Sequence, residues 1–281
     1  SYITRDRTGD IPTSEFFRAA FNPTVLRQLC AIRQGLLLTE QDTDVDVLLR
    51  AAMLGCIHGP NSKHPETQSY FSNQMPRTFA AKPDYSVRFW KARGLTAPKV
   101  DVLAVLRRKL VRLQSPCLPE GGSFADARLG DSRCADSLPL ASRDFSVVVT
   151  SPPYYGMRTY IEDQWLRNWF LGGPDHVEYG NATQLEHAGK AAFAESLGAV
   201  WENMARTHAN QLHMYVRFGI IPSAKADPKA LIRDSLESSG IAWRVVSTRP
   251  AATAAAGKRQ ADHMLSGSTA ATEYDFHIYR D

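Results

Sequence analysis

Cysteines are few in this sequence, and long apolar runs are missing from it. The four cysteines are scattered along 281 residues without a Cys-x-x-Cys pair, which argues against a disulfide framework and favours reduced thiols in a cytoplasmic protein. No histidine or cysteine has the spacing of a metal ligand, so we expect no metal. No apolar run reaches membrane-spanning length and no signal-peptide pattern opens the chain, so we expect no membrane association.

A strong excess of one charge sign is also missing from the chain as a whole. The net charge is +4 and the sequence pI is about 8.9, which is compatible with a polyanionic partner but is weak support by itself. Hydrophobic residues make up 43% and charged residues 22% of the chain, a composition typical of globular proteins. The length allows one large domain, or one domain with a sizeable insertion.

Helical patterns dominate residues 14–113. Thr13-Ser14-Glu15-Phe16 predicts the start of a first helix, and Asn22-Pro23 predicts its end and the start of a second. A fourth pattern, over residues 100–113, is clearly amphipathic and carries basic residues in its later part. Between them a third helix is expected over residues 44–57, and its predicted apolar face consists of Val45, Leu48, Leu49, Ala52, Met53 and Cys56.

Basic residues concentrate between positions 77 and 112. This segment holds ten basic and two acidic residues, a net charge of +8. Aromatic residues are interleaved with these charges or lie just before them, namely Tyr70, Phe71, Phe79, Tyr85, Phe89 and Trp90. Such a mixture suits a surface that neutralises phosphates and stacks on bases. It equally suits a solvated basic helix whose aromatic rings belong to the core.

The strongest local signal is residues 145–156, FSVVVTSPPYYG. Its first half is rich in β-branched and aromatic residues and predicts a buried strand. Ser151-Pro152-Pro153-Tyr154 then has to end the strand, because two prolines fix φ and remove two backbone donors. The result is a stiff corner at the carboxyl end of a strand, where open α/β sheets bind ligands. Its hydroxyl and carbonyl oxygens can hold an exocyclic amine while its ring stacks on an extruded base.

At these residues the chain resembles the DNA methyltransferases that modify exocyclic amino groups, whose motif is (Asp/Asn/Ser)-Pro-Pro-(Tyr/Phe) after a hydrophobic strand. The Ser-led form preceded by Thr150 is most similar to the cytosine-N4 branch. The resemblance implies S-adenosylmethionine as methyl donor, with Asp131 and Thr150 as cofactor contacts; Asp131 belongs to a Gly-Asp pair about twenty residues before the tetrapeptide. The implied catalytic residues are Ser151, Pro152, Pro153 and Tyr154.

The implied fold class is α/β, with the catalytic half of a Rossmann-like class I methyltransferase sheet preceded by a helical, basic insertion domain. Residues 1–13 are expected to lead in from a cofactor-binding segment, 14–113 to form the insertion with DNA-binding and target-recognition roles, and 114–281 to form the catalytic subdomain. The last strands, near 212–220, 243–248 and 274–279, are expected to end in an antiparallel pair. The candidate DNA contacts are Arg77, Lys82, Arg88, Lys91, Arg93, Arg107, Arg108, Arg158, Tyr160, Lys258 and Arg259.

The family's glycine-rich Phe-x-Gly-x-Gly loop for S-adenosylmethionine is not found in this sequence. We therefore expect, besides double-stranded DNA, either a complementary chain that carries this loop or a homodimer; a loop segment removed from this molecule is the other explanation. The expected reaction is methylation of cytosine N4 in duplex DNA by base flipping, as in restriction–modification systems. Adenine-N6 methylation is the alternative reaction, and a non-catalytic DNA-binding subunit of a methyltransferase complex is the alternative outside the enzymes.

Overall fold

The structure, a computed structural model, divides into two compact units. One unit, Ser1–Gly121 with Thr159–Asn181, is helical, and the other, Gly122–Arg158 with Ala182–Asp281, contains the sheet. The residues that the structure describes are 10–39, 42–62, 64–76, 82–113, 128–137, 145–157, 162–179, 189–206, 211–221, 224–251 and 272–281. No helix within these ranges is long and apolar enough to cross a lipid bilayer.

The helical unit contains the four helices that the sequence pattern predicts for residues 14–113, and a further helix lies between the third and the fourth of them. Its helices are α1 Glu15–Ala20, α2 Pro23–Leu37, α3 Asp44–Cys56, α4 Pro83–Ala92, α5 Val102–Leu113 and α6 Trp165–Phe170, with 3-10 turns at Pro65–Thr67 and Glu162–Gln164. The Ser14 hydroxyl accepts from the Phe17 amide at 3.5 Å, and the Asn22 side chain accepts from the Thr24 amide at 3.0 Å. Both predicted helix starts are therefore confirmed, with Ser14 and Asn22 as the N-caps.

Aromatic rings build the core of the helical unit. Phe16 and Phe17 on α1 contact the α6 rings, with centroids 5.0 Å apart for Phe16 and Trp165 and 4.7 Å apart for Phe17 and Trp169. Trp90 of the basic segment is also fully buried in this cluster, 5.6 Å from Phe16. Edge-to-face and tilted pairs of this kind stabilise a core beyond the area they bury.

The predicted apolar face of α3 is correct only in its second half. Ala52, Met53 and Cys56 are buried, but the Val45 side chain is 73% exposed. The reason is the capping box at the start of the helix, where the Asp46 carboxylate accepts from the Thr43 amide at 3.0 Å and is itself buried. Burying this carboxylate in the first turn directs its neighbours to solvent, so the predicted face is wrong there.

The described residues of the sheet unit form a four-stranded open sheet with helices, which confirms the α/β class. Its elements are β1 Val147–Thr150, α7 Lys190–Arg206, β2 Leu212–Ile220, α8 Pro228–Ser238, β3 Arg244–Pro250 and β4 Thr272–Arg280, with a 3-10 turn at Ala135–Ser137. The strand order is β1-β2-β4-β3. β1 runs parallel to β2, while β4 runs antiparallel to both β2 and β3. The antiparallel pair expected at the end of the chain is therefore confirmed.

Only one face of the sheet is packed against α7 and α8. Met214, Val216 and Phe218 of β2 are buried there. On β1, by contrast, Val147 is 50% exposed and Val149 is 79% exposed. The prediction that this strand is buried is therefore wrong: Val148 and Thr150 are only partly buried, and the other two side chains lie on the face opposite α7 and α8, which is open at β1.

Candidate active site

The Ser-Pro-Pro-Tyr corner lies at the carboxyl end of β1. Thr150, the last residue of the strand, pairs with Val216 of β2 in parallel register. Ser151 follows directly and is exposed, whereas Pro152 is buried. The chain therefore leaves the sheet at the position predicted from the prolines, with the Ser151 side chain accessible to solvent.

The residues after the corner fix it to the sheet. Tyr155 forms a parallel bridge with Ile220, and its ring lies edge-on to Phe193 with centroids 5.2 Å apart. The Met157 amide donates to the Tyr154 carbonyl at 3.0 Å and closes a turn. Gly156 has φ +89°, and a Cβ at this position would lie 2.8 Å from the Cβ of Ala224. The turn thus requires glycine both for its backbone conformation and for the close approach.

Tyr154, the predicted stacking residue, is half-buried rather than fully presented to solvent. Its ring meets Phe218 at 76° with centroids 6.1 Å apart. Phe218 itself is fully buried beneath the sheet's helices. One side of the Tyr154 ring is therefore held by the core, which restricts its rotation and leaves only part of it for a ligand.

Asp131, the predicted cofactor contact, is already engaged by Arg133. The Arg133 Nε donates to Oδ1 at 2.9 Å, Nη2 donates to Oδ2 at 2.6 Å, and the Arg133 amide donates to Oδ1 at 3.0 Å. These hydrogen bonds lower the pKa of Asp131 to about 2. Asn203 of α7 donates to the Ser132 carbonyl at 3.1 Å and anchors this turn. No hydrogen bond or ring contact among the described residues joins Asp131 to the tetrapeptide.

A groove of about 510 Å³ lies beside the corner on the open face of the sheet. Thr150 and Val149 line it from β1, and Arg217, Asp275 and Arg249 are among its residues from the other strands. The Arg217 Nε and Nη2 donate to the two carboxylate oxygens of Asp275 at 2.7 and 2.8 Å. This bidentate pair lowers the pKa of Asp275. The groove is therefore polar at its β2 and β4 side and apolar at its β1 side.

Stacked rings continue the same face along β2 and β4. Tyr215 and His277 lie nearly parallel, at 8° with centroids 4.6 Å apart. The His213 Nδ1 and His277 Nε2 are 2.9 Å apart, so one of them donates to the other. Neither these rings nor the arginine–aspartate pair was among the residues predicted from sequence. The sequence feature that could have indicated them is the alternation of polar residues with Met214, Val216 and Phe218 along β2, which places the polar residues together on one face.

The predicted DNA contacts fall into three groups. Exposed side chains without an ion pair among the described residues are Lys82, Arg88, Arg93 and Arg107. Lys91 is exposed too but forms an ion pair with Glu15, and the partly buried Arg108 donates to the Gln68 carbonyl. The remaining candidates, Arg77, Arg158, Tyr160, Lys258 and Arg259, lie outside the described residues.

The aromatic residues of the basic segment divide between core and surface. Phe71 and Trp90 are buried, as the core interpretation predicts, while Tyr85 is 40% exposed. The Arg93 guanidinium lies 4.1 Å from the centroid of the Phe89 ring. The core interpretation is therefore confirmed for Phe71 and Trp90, and DNA contact by the exposed residues stays a prediction.

No protein-family model, no curated protein and no solved structure matches this chain. A function for it can therefore be argued only from its own motif and from the geometry around the Ser-Pro-Pro-Tyr corner.

Proposed function

We propose that this protein is an S-adenosylmethionine-dependent DNA methyltransferase acting on the N4 amine of cytosine. The observation that carries the proposal is the Ser-Pro-Pro-Tyr corner, which leaves the carboxyl end of β1 with Ser151 exposed. Ligands of open α/β sheets bind at this end of the strands. The Tyr155 bridge to Ile220 keeps the corner against the sheet, so its polar groups are held ready for a base.

The chemistry at the corner is that of holding an amine in place. The Ser151 hydroxyl and the Pro152 carbonyl accept hydrogen bonds from the N4 hydrogens of an extruded cytosine, and the accessible part of Tyr154 contacts the ring. Accepting these hydrogens directs the nitrogen lone pair towards the incoming methyl group. Catalysis then comes from positioning and electrostatics, without a covalent intermediate on the protein.

The basic segment of the helical unit is the surface that we assign to the DNA backbone. Lys82, Arg88, Arg93 and Arg107 are exposed cations. Contacts of this kind neutralise phosphates and position a protein on the duplex without reading its sequence. Recognition of a particular base sequence needs further side chains in the grooves.

The described residues do not form a complete pocket for S-adenosylmethionine. A sulfonium cofactor needs uncommitted acceptors, yet Asp131 is bound by Arg133 and Asp275 is bound by Arg217. The groove beside Thr150 also contains Arg249, whose charge disfavours a cation. We therefore derive no step of the reaction from these residues' contact with the cofactor.

A complementary chain that completes the cofactor side fits the edge of the sheet. Within the described residues β1 has a hydrogen-bonded neighbour on one side only. The strand VVVT also has no charge or proline of the kind that protects an edge. We propose that the complementary chain pairs with β1 and brings the glycine-rich loop to the carboxyl end of the strands.

The test is methyl transfer from labelled S-adenosylmethionine to mixed-sequence duplex DNA, followed by digestion and identification of the modified nucleoside. Ser151→Ala is expected to lower the transfer rate by about a hundredfold or more, because one positioned hydrogen-bonding group is lost, while DNA affinity stays near its original value. Ser146→Ala is the matched control, since this exposed serine precedes the same strand at its other end. Equal losses in both variants would argue for a structural role.

The identity of the product separates the remaining candidates. N4-methylcytosine supports the proposed reaction, and N6-methyladenine keeps the corner's role but changes the base. The absence of product, with DNA binding retained, favours a non-catalytic DNA-binding subunit, as the Asp131–Arg133 pair would allow. The assay is then repeated with cell extract as a source of the complementary chain, and renewed failure rejects catalysis.

A further inference from the structure

We propose that a small pocket between α3 and α5 in the helical unit binds a phosphate group. The pocket has a volume of about 40 Å³, and Arg108, Lys109 and Arg112 of α5 line it together with Ser69 and Tyr70. A water needs about 10–15 Å³ on this measure, so the pocket accommodates the few oxygens of one phosphate but not a sugar or a base. This proposal does not depend on methyl transfer.

The three cations converge on one buried point of α3. Burial raises the pKa of the Cys56 thiol, and the charges of Lys109, Arg112 and Arg108 all oppose that rise. Lys109 Nζ lies 3.2 Å from the position that a Cβ on Gly55 would take. Three like charges that line one pocket repel one another, and an anion between them converts the repulsion into attraction.

No carboxylate within the described residues neutralises the pocket. None of the ion pairs formed there includes Arg108, Lys109 or Arg112. In addition, Arg108 Nε is buried and has no hydrogen-bond acceptor among the residues that the structure describes. A buried donor without an acceptor is costly, and that cost falls when a ligand supplies the acceptor.

Phosphate fits this arrangement better than a carboxylate does. It carries up to two negative charges and offers several strong acceptor oxygens, which match two guanidinium groups and an ammonium. The hydroxyl groups of Ser69 and Tyr70 add further donors. The phosphate belongs either to a nucleic-acid backbone or to a free phosphate ion, and the basic surroundings favour the backbone.

Two exposed arginines of the helical unit provide the comparison. Arg112 lines the pocket, whereas Arg27 of α2 does not line it and is not among the residues assigned to DNA. Lys109 also faces the carboxyl end of α3, where a cation interacts favourably with the helix dipole. Arg112→Gln is therefore the primary variant, Lys109→Gln the second, and Arg27→Gln the control with the same loss of charge.

The experiment titrates the full chain with inorganic phosphate by calorimetry and phosphorus NMR, using chloride at equal ionic strength as reference. We expect saturable binding that weakens about tenfold or more in Arg112→Gln, since a hydrogen bond to a charged group is lost, and in Lys109→Gln, but not in Arg27→Gln. Circular dichroism checks that each variant is folded. No saturable binding by the original chain, or the same loss in Arg27→Gln, would overturn the proposal.

A competition arm identifies the source of the phosphate. Phosphate-loaded protein is titrated with a short DNA duplex, and displacement of phosphate shows that a backbone phosphate occupies the pocket. Retention of phosphate shows that the site serves the free ion. Either result requires that phosphate was bound in the pocket. Neither result involves methyl transfer, so a failed methylation assay and a failed phosphate titration remain distinguishable.

Discussion

Gly156→Ala is the change that tests most directly whether the corner at Ser151 is rigid. The backbone at Gly156 has φ +89°, and forcing an L side chain into the left-handed region costs about 1–2 kcal/mol. A Cβ would also lie 2.8 Å from Ala224 Cβ and 2.9 Å from Ile221 Cγ1. Overpacking of this kind costs about 1–3 kcal/mol, so the sheet unit should lose about 2–5 kcal/mol in total.

Gly240→Ala in the same unit is the control for the backbone part. Gly240 has φ +67° after α8, and nothing lies within 4 Å of its Cβ position. The expected loss is therefore about 1–2 kcal/mol from the backbone alone. The difference between the two variants isolates the close approach of Gly156 to Ile221 and Ala224.

Native-state hydrogen exchange of the β2 amides measures these losses for the sheet unit alone. With about 1.4 kcal/mol for each tenfold change, exchange should accelerate about 30-fold to a few thousandfold in Gly156→Ala. In Gly240→Ala it should accelerate about 5- to 30-fold. Equal acceleration in the two variants would mean that the turn shifts to accept the methyl group, and the corner could then not be called rigid.

Two further predictions concern pKa values. Burial, with a smaller contribution from the charge of Arg167, lowers the pKa of His58 from 6.5 to about 4. The contribution of neutral His58 to the free energy of unfolding of the helical unit should therefore be fully present above about pH 6.5. About 3 kcal/mol of it should be lost as pH falls towards 4. Urea unfolding at several pH values measures this loss, which should disappear in His58→Gln. In the second prediction, Arg133→Gln should raise the pKa of Asp131 from about 2 towards its ordinary 3.8, and carboxyl NMR titration would contradict the assignment if the pKa stayed low.

The corner and the helix starts were predictable because each depends on adjacent residues. Two prolines after a β-branched run end a strand whatever surrounds it. Asn22 before Pro23 and Asp227 before Pro228 form N-caps through local hydrogen bonds, at 3.0 and 2.9 Å. The open face of β1 was not predictable in this way, because the VVVT pattern is the same whether helices cover one face or both.

The groove beside Thr150 depends instead on residues far apart in the chain. Arg217 and Asp275 are separated by 58 positions, and they meet only because β2 and β4 pair in one register. A slip of one residue would put Asp275 on the covered face. The register of β3 is changed further by an irregularity between Val245 and Ser247. No local pattern encodes these facts, so sequence reasoning found Ser151 and missed the groove next to it.

The difference between features set by adjacent residues and features set by distant ones also affects how the proposed site is completed. Under the proposed function, Ser151 and Pro152 at the corner supply the groups that hold an amine. A sulfonium cofactor needs negatively charged acceptors to balance its positive charge. Asp131 and Asp275 are candidates for this role, but each is neutralised by an arginine. A bidentate arginine leaves a carboxylate with limited capacity for a second cation. Under the proposed function, the cofactor's charge must therefore be met by other acceptors, and the exposed edge of β1 is where a complementary chain would bring them.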